Sequence, residues 1–148
     1  YSGKIAGELQ AAIGWSEEKV GTATTPHNET IGGSISWLHT SGFNITAAYT
    51  TAEGFVSSGN GDAFTGDSKF WWVKVGWKFG AHAIAVDYNE TEDHALAGDE
   101  GKTYGIGYVW NPVRWLEIFA AYRIYQLDRA GADLEDIMVG QLGTRIRF

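Results

Sequence analysis

Residues 138–148 have the sequence Met-Val-Gly-Gln-Leu-Gly-Thr-Arg-Ile-Arg-Phe. The even positions are mostly apolar, whereas the odd positions from 141 to 147 carry a glutamine, a glycine and two arginines. Successive side chains of a β-strand point to opposite faces, so this alternation predicts a two-faced strand. One face is apolar and ends in the aromatic ring of Phe148, and the other face is polar.

The same period of two recurs along the whole chain of 148 residues. It predicts eight strands, at 4–15, 30–39, 43–51, 69–79, 82–91, 102–111, 114–128 and 138–148. The segments between them alternate between long and short, which predicts an antiparallel up-and-down meander with its short turns at one end. We therefore expect an all-β fold in a single domain that comprises residues 1–148.

Aromatic residues lie near both ends of the predicted apolar faces. Near the short turns they are Trp37, Phe43, Trp77, Phe79, Trp110 and Phe148, and near the long loops they are Trp15, Tyr49, Trp71, Tyr88, Tyr104 and Tyr122. Two aromatic bands that flank an aliphatic middle are typical of a transmembrane β-barrel, in which such rings form girdles at headgroup depth. The structural alternative, a soluble β-sandwich or barrel, would place its aromatic residues mid-strand and a charged face toward water.

Charged residues within the predicted strands fall on the opposite, polar face. They are Lys74, Lys78, Arg123, Arg145, Arg147, Glu8, Asp87 and Glu117. A charge at these positions needs water or a partner, so the pattern predicts that they line a water-filled space. The other 15 of the 18 acidic residues lie in or beside the long loops. They favour solubility, and a second interpretation is an acidic rim that attracts cations or shares divalent cations with lipopolysaccharide phosphates.

Composition narrows the classes of function. The net charge of −7 argues against a nucleic-acid-binding protein, and the absence of Cys removes disulfides and thiolate chemistry. No stretch approaches 18 consecutive apolar residues, which excludes a transmembrane helix but not membrane-spanning strands.

Neither an enzyme nor a metal site is predicted. Ser34 and Ser36 share the polar face, but no His lies on that face within a predicted strand. Asn60-Gly61-Asp62 and residues 133–136 lack the full spacing of a calcium loop. We therefore expect no catalytic residues and no cofactor.

Two stretches and the last residue resemble Gram-negative outer-membrane porins. The stretches are 42–49, Gly-Phe-Asn-Ile-Thr-Ala-Ala-Tyr, and 107–117, Gly-Tyr-Val-Trp-Asn-Pro-Val-Arg-Trp-Leu-Glu, and the residue is the terminal Phe148. The resemblance implies a barrel in the outer membrane, surrounded by lipid and lipopolysaccharide, that admits small hydrophilic solutes and ions by passive diffusion. It also implies a homotrimer, and recognition of Phe148 by the barrel-assembly machinery.

Two architectures remain compatible with the sequence. In the porin family the barrel typically has sixteen strands and a loop folded into its lumen, so the eight strands would be the C-terminal half of a barrel. Alternatively, the chain is a complete eight-stranded barrel with a structural, adhesion or lipopolysaccharide-binding role and no open pore. Bulky polar-face residues would then fill its interior: Phe70, Trp72, Trp115, Glu117, Phe119, Arg123 and Tyr125. The abundance of Gly, Ala and Ser on the polar face favours the wider, water-lined wall.

Overall fold

A computed structural model describes residues 6–18, 28–57, 64–93 and 98–147. It contains one antiparallel sheet in which every strand pairs with its neighbours in sequence. The strands are β1 (Glu8–Glu18), β2 (Asn28–Leu38), β3 (Phe43–Ser57), β4 (Phe64–Phe79), β5 (His82–Glu92), β6 (Glu100–Val113), β7 (Leu116–Asp128) and β8 (Ile137–Ile146). The predicted all-β meander of eight strands is therefore confirmed, and no helix that could span a membrane occurs within these ranges.

The alternation of long and short connections is also confirmed. Residues 39–42, 80–81 and 114–115 form the short turns at one end of the sheet. Gly80 has a φ of +57° in its two-residue connection, as tight hairpins require. Gly42 has a φ of +86°, and a Cβ there would collide with the carbonyl of Lys78. Glycine is therefore required at the tip of the β2–β3 turn.

Two predicted connections are wrong in their boundaries. The segment 52–68 was expected to be a loop, but β3 continues to Ser57 and β4 starts at Phe64, with a register irregularity between Ala52 and Phe55. The strands remain paired there through mostly polar residues, so hydrophobic periodicity could not predict this extension. The sixth strand was expected to end at residue 111, but β6 continues to Val113. Pro112 lies at a break in its register, and the turn follows at 114–115. Proline lacks the N–H that a ladder needs, so a break in the ladder accommodates it.

Within the described ranges, the sheet has no second layer packed against it. No hydrophobic side chain among the described residues is buried, and Ile13 and Leu142 are 84% and 83% exposed. The accessible surface is 10558 Å², whereas a compact monomer of 16.2 kDa exposes about 7,500 Å². Burial within this chain therefore does not account for the apolar face.

The sheet is also open. Strands β1 and β8 lie at its two edges and do not pair with each other. Each therefore presents a row of backbone N–H and C=O groups along its outer side. Both edges are long, since β1 comprises 11 residues and β8 comprises 10.

Substitutions of two glycines in β8 test the cross-strand packing. The ring of Phe119 lies across Gly143, where a Cβ would approach the ring to 2.5 Å, whereas a Cβ at Gly140 meets nothing within 4 Å. We expect Gly143→Val to be less stable than Gly140→Val by about 1–3 kcal/mol, because only the first overpacks its site. Urea unfolding of the protein folded in detergent measures this difference, and equal midpoints for the two variants would contradict the packing of Phe119 on Gly143.

Candidate functional site

The register of the strands separates the side chains into two faces. Phe43 is opposite Trp77, and Tyr88 is opposite Tyr104, so aromatic residues from neighbouring strands lie side by side. The same pairing continues from β1 to β8 and places all the described girdle residues on one face, here called the aromatic face. Phe148 lies outside the described residues.

The aromatic residues of the aromatic face near the short turns, here called the short-turn band, contact one another, and those near the long loops form the long-loop band. Trp37 lies 6.3 Å from Phe43, and Trp77 lies 5.0 Å from Phe79, between ring centroids. His82 stacks between Phe79 and Trp110, and its Nδ1 lies 2.6 Å from the hydroxyl of Tyr108. His82 belongs to this band through its register with Trp110, which hydrophobic periodicity alone did not indicate.

Rings of the long-loop band are also in contact and direct their polar atoms toward polar partners. Tyr88 lies 4.8 Å from Trp71 and 4.9 Å from Tyr104. The Tyr88 hydroxyl donates to Glu90 at 2.8 Å, and the Trp15 indole N–H donates to Glu29 at 2.7 Å. Each ring thus keeps an apolar body beside the aliphatic residues and a polar tip toward the charged strand ends.

Beyond this band the aromatic face is charged. Alternation and register place Lys69, Glu90, Glu92, Glu100, Lys102 and Asp128 there. Ion pairs join Lys69 to Glu92 at 3.7 Å and Lys102 to Glu100 at 2.7 Å. Four of the carboxylates that the sequence assigned to an acidic rim, Glu90, Glu92, Glu100 and Asp128, therefore lie in strands on the aromatic face, because the strands extend further than hydrophobicity indicated.

The eight predicted charged residues all lie on the other face, here called the polar face, and many of them are paired. The Glu117 carboxylate bridges Arg145 at 3.2 Å and Arg147 at 3.1 Å. Glu117 is 13% exposed, whereas Arg145 and Arg147 are 62% and 60% exposed. The guanidinium groups therefore remain accessible while the carboxylate between them is neutralised.

A second cluster crosses three strands. Asp87 on β5 is opposite Gly105 on β6, and Gly105 is opposite Arg123 on β7. The guanidinium of Arg123 reaches over Gly105 to the Asp87 carboxylate, 3.2 Å away. A Cβ at Gly105 would lie 2.6 Å from Asp87 Oδ1, so the pair needs a residue without a side chain between its members. Lys74 on β4 is opposite Asp87 in register.

The remaining charges lie nearer the short turns. Glu8 and Lys74 border a polar depression of about 340 Å³, together with Gln10, Ser36, Asn44 and Thr46. Ser36 and Thr46 are joined there by a hydroxyl hydrogen bond of 2.9 Å. Lys78 is opposite Ala83 beside the β4–β5 turn. These eight described residues thus bring five basic and three acidic groups to the polar face.

An ion pair at the long-loop end was not predicted. Arg129 Nε and Nη2 donate to the two oxygens of Asp99 at 2.9 and 2.6 Å, and Asp99 is only 3% exposed. These hydrogen bonds raise the pKa of Arg129 above its ordinary value. The two residues are far apart in sequence and lie outside the strands, so periodicity gave no signal for their contact. In the part of the chain that the structure describes, no group of three or more His, Asp or Glu residues could hold a metal ion.

A comparison with protein families decides the identity. The sequence model of Gram-negative porins matches residues 1–130. The chain belongs to the Gram-negative porin family. This match spans β1 to β7, and a comparison with individual curated proteins gives no significant match. Membership of the porin family implies an outer-membrane protein with a non-enzymatic role. It agrees with the resemblance in the sequence.

A double-mutant cycle tests whether Asp87 and Arg123 interact in this porin. We expect Asp87→Asn and Arg123→Gln to show a coupling free energy of about 1 kcal/mol, since Arg123 is partly exposed and water screens the pair. The reference cycle, Lys69→Gln with Glu92→Gln, concerns a pair whose members are 51% and 46% exposed, and its coupling should be below about 0.5 kcal/mol. Urea unfolding of the folded protein measures both cycles, and a coupling no larger than the reference would mean that the bridge over Gly105 is absent.

Proposed function

We propose that this porin spans the outer membrane as part of the wall of a β-barrel, and that its polar face lines a water-filled channel. Small hydrophilic solutes and ions would cross by passive diffusion, without chemistry and without a cofactor. The observation that carries the proposal is a one-layer sheet whose two exposed faces differ in character. One is aliphatic between two aromatic bands. The other combines small, polar and charged residues with the larger rings of Phe70, Trp72, Phe119 and Tyr125.

The aromatic face has the dimensions of a membrane surface. The segment of β4 from Trp71 to Phe79 spans about 27 Å along the strand at 3.4 Å per residue. At the strand tilt of roughly 40° found in outer-membrane barrels this is about 21 Å along the membrane normal, close to the apolar band of about 25 Å. Its nine residues also match the roughly 9–11 residues of a tilted transmembrane strand. Beyond the long-loop band, the paired charges Lys69–Glu92 and Lys102–Glu100 would lie among lipopolysaccharide headgroups. In this proposal the aromatic face contacts lipid and the neighbouring subunits of a trimer.

The open edges support a barrel wider than eight strands. Backbone groups cannot remain unpaired in hydrocarbon, so β1 and β8 must pair with strands in the closed barrel. Pairing with each other would close a narrow barrel whose interior side chains fill. Pairing of both edges with further strands would instead leave a channel. The glycines and short side chains of the polar face, and the separation of β1 from β8, support the second arrangement.

Conductance tests the channel itself. Protein that is folded in detergent and shows heat-modifiable migration should produce stepwise, ohmic current increases in a planar lipid bilayer. Protein that inserts, as judged by protection of its strands from protease, but gives no conductance would overturn the channel proposal. That outcome would favour the narrow barrel with a structural or lipopolysaccharide-binding role.

Adjacent alanines test which face contacts lipid. Ala120 lies on the aromatic face opposite Leu142, and Ala121 lies on the polar face opposite Gln141. We expect Ala120→Arg to destabilise the protein in lipid vesicles by about 2–4 kcal/mol, because it places a charge in hydrocarbon. Ala121→Arg should change stability much less. Urea titration in vesicles measures both variants, and similar losses for the two would contradict the assignment of faces.

Ion selectivity tests the basic residues of the polar face. Replacing Arg145 and Arg147 by Gln removes two positive charges from the proposed channel wall and should shift the reversal potential in a salt gradient toward cation preference. The matched control replaces Lys69 and Lys102 by Gln, which removes two positive charges from the aromatic face. A reversal potential that is unchanged in the Arg145/Arg147 variant would remove these residues from the channel wall.

A further inference from the structure

A small pocket lies on the polar face at the long-loop end of β5, β6 and β7. Its volume is about 250 Å³. Its floor consists of two rows of side chains in register across the three strands: Asn89, Thr103 and Tyr125 in one row, and Thr91, Gly101 and Leu127 in the next. Gly101 leaves the centre of the second row without a side chain, and this creates the depression.

The wall of the pocket is fixed by the ion pair between Asp99 and Arg129. Two hydrogen bonds hold the guanidinium against a carboxylate that is 3% exposed. The backbone N–H of Asp93 also donates to the carbonyl of Asp99 at 2.9 Å, which ties the segment after β5 to the start of β6. Thr103, on the floor, is 8% exposed. The pocket is therefore shaped before any ligand arrives, which reduces the entropic cost of binding.

The charges of the lining are already compensated. Arg129 is bonded through two nitrogens to Asp99. Lys102 also borders the pocket, but alternation places its side chain on the aromatic face, 2.7 Å from Glu100. An ionic ligand would have to separate Arg129 from Asp99 or enter without a counter-charge, and either is costly. The pocket therefore favours a neutral ligand.

The polar groups of the floor suit a ligand with many hydroxyls. Asn89, Thr91, Thr103 and Tyr125 each carry groups that can both donate and accept hydrogen bonds. Tyr125 is 39% exposed and adds an aromatic surface beside these groups. The volume corresponds to about eight water molecules at roughly 30 Å³ each. This is room for one sugar ring but not for an oligosaccharide.

We infer that the pocket is a binding subsite for one neutral monosaccharide ring at the entrance of the polar face. The ligand's hydroxyls contact Asn89, Thr91 and Thr103, and its C–H face lies on Tyr125. This inference rests on the proposed function in one respect, namely that the polar face is in contact with water and solutes. Binding at the entrance would raise the local concentration of the sugar before it diffuses through the channel.

Filling the pocket provides the test. A Cβ at Gly101 meets no atom nearer than 4.0 Å, so Gly101→Val can be accommodated, and its side chain would project over the floor. Gly107→Val is the matched control, because it lies on the same strand and the same face, outside the pocket, where a Cβ meets nothing within 4 Å. Saturation-transfer NMR on protein folded in detergent micelles measures the binding of D-glucose. D-Glucuronate serves as the charged analogue with the same ring.

We expect D-glucose to bind the unmodified protein with a Kd on the order of 1 mM, and the affinity to fall at least tenfold in Gly101→Val. Gly107→Val should bind within twofold of the unmodified protein, and D-glucuronate should bind at least threefold more weakly than D-glucose. Equal binding by Gly101→Val, or glucuronate binding as tight as glucose binding, would overturn the inference.

The outcome is separable from that of the channel proposal, because binding in micelles needs no conductance. A protein that conducts ions but binds no glucose refutes the subsite alone. A protein that binds glucose, with loss of binding in Gly101→Val, but conducts nothing supports the subsite and refutes the channel.

Discussion

The structure depends on one constraint: a single β-sheet has two faces and no interior. In a soluble domain a sheet buries its apolar face against a second layer, but the described part of this chain contains one sheet and no helix. The aliphatic residues between the aromatic bands are therefore exposed, with Ile35 at 51% and Leu142 at 83%. Such a surface is stable only in contact with lipid or with another protein surface. The proposed membrane position follows from this arrangement and agrees with the match to the porin family.

On the polar face, glycines provide the space in which long side chains extend across neighbouring strands. Arg123 reaches Asp87 only because Gly105 lies between them, and the ring of Phe119 lies flat only because residue 143 is a glycine. Gly105 and Gly143 thus act as points of close approach rather than as points of flexibility. A sheet with larger residues at these positions would separate its charges or lose pairing between its strands.

Much of this architecture could be predicted because a strand's two faces can be recognised from the alternation of neighbouring residues in the sequence. Period-two alternation and the lengths of the connections predicted all eight strands, their order and the face of each girdle residue that the structure describes. Residues whose roles depend on distant partners were missed. Asp99 and Arg129 form their ion pair from outside the strands. The ring stack of His82 depends on which residue of β6 lies beside it.

The boundaries of the strands show the same limit. Hydrophobic alternation ends where the chain leaves the aliphatic zone, but backbone pairing does not. β3 and β4 therefore continue as a ladder through polar residues that carry no periodic signal. The proline at position 112 indicated that the sixth strand ends at residue 111. The strand instead accommodates Pro112 by a shift of register and continues to Val113. Turn residues thus mark the region of a connection more reliably than its position.

The pairing of charges on the polar face determines how its field would act on an ion. Asp87 and Glu117, each 13% exposed, are both bound by arginine and contribute little net negative potential. Glu117 contacts two guanidinium groups, so that cluster retains a positive charge. Lys74 and Lys78 add to it, and Glu8 opposes it from the short-turn end of β1. The arrangement gives this part of the proposed wall a net positive field, although the chain as a whole carries a charge of −7.

Much of the negative charge lies on the other side of the sheet, beyond the aromatic band, where Glu29, Glu90 and Glu100 belong to the outer surface. The net charge of the chain is therefore a poor guide to the potential that a solute on the polar face would experience.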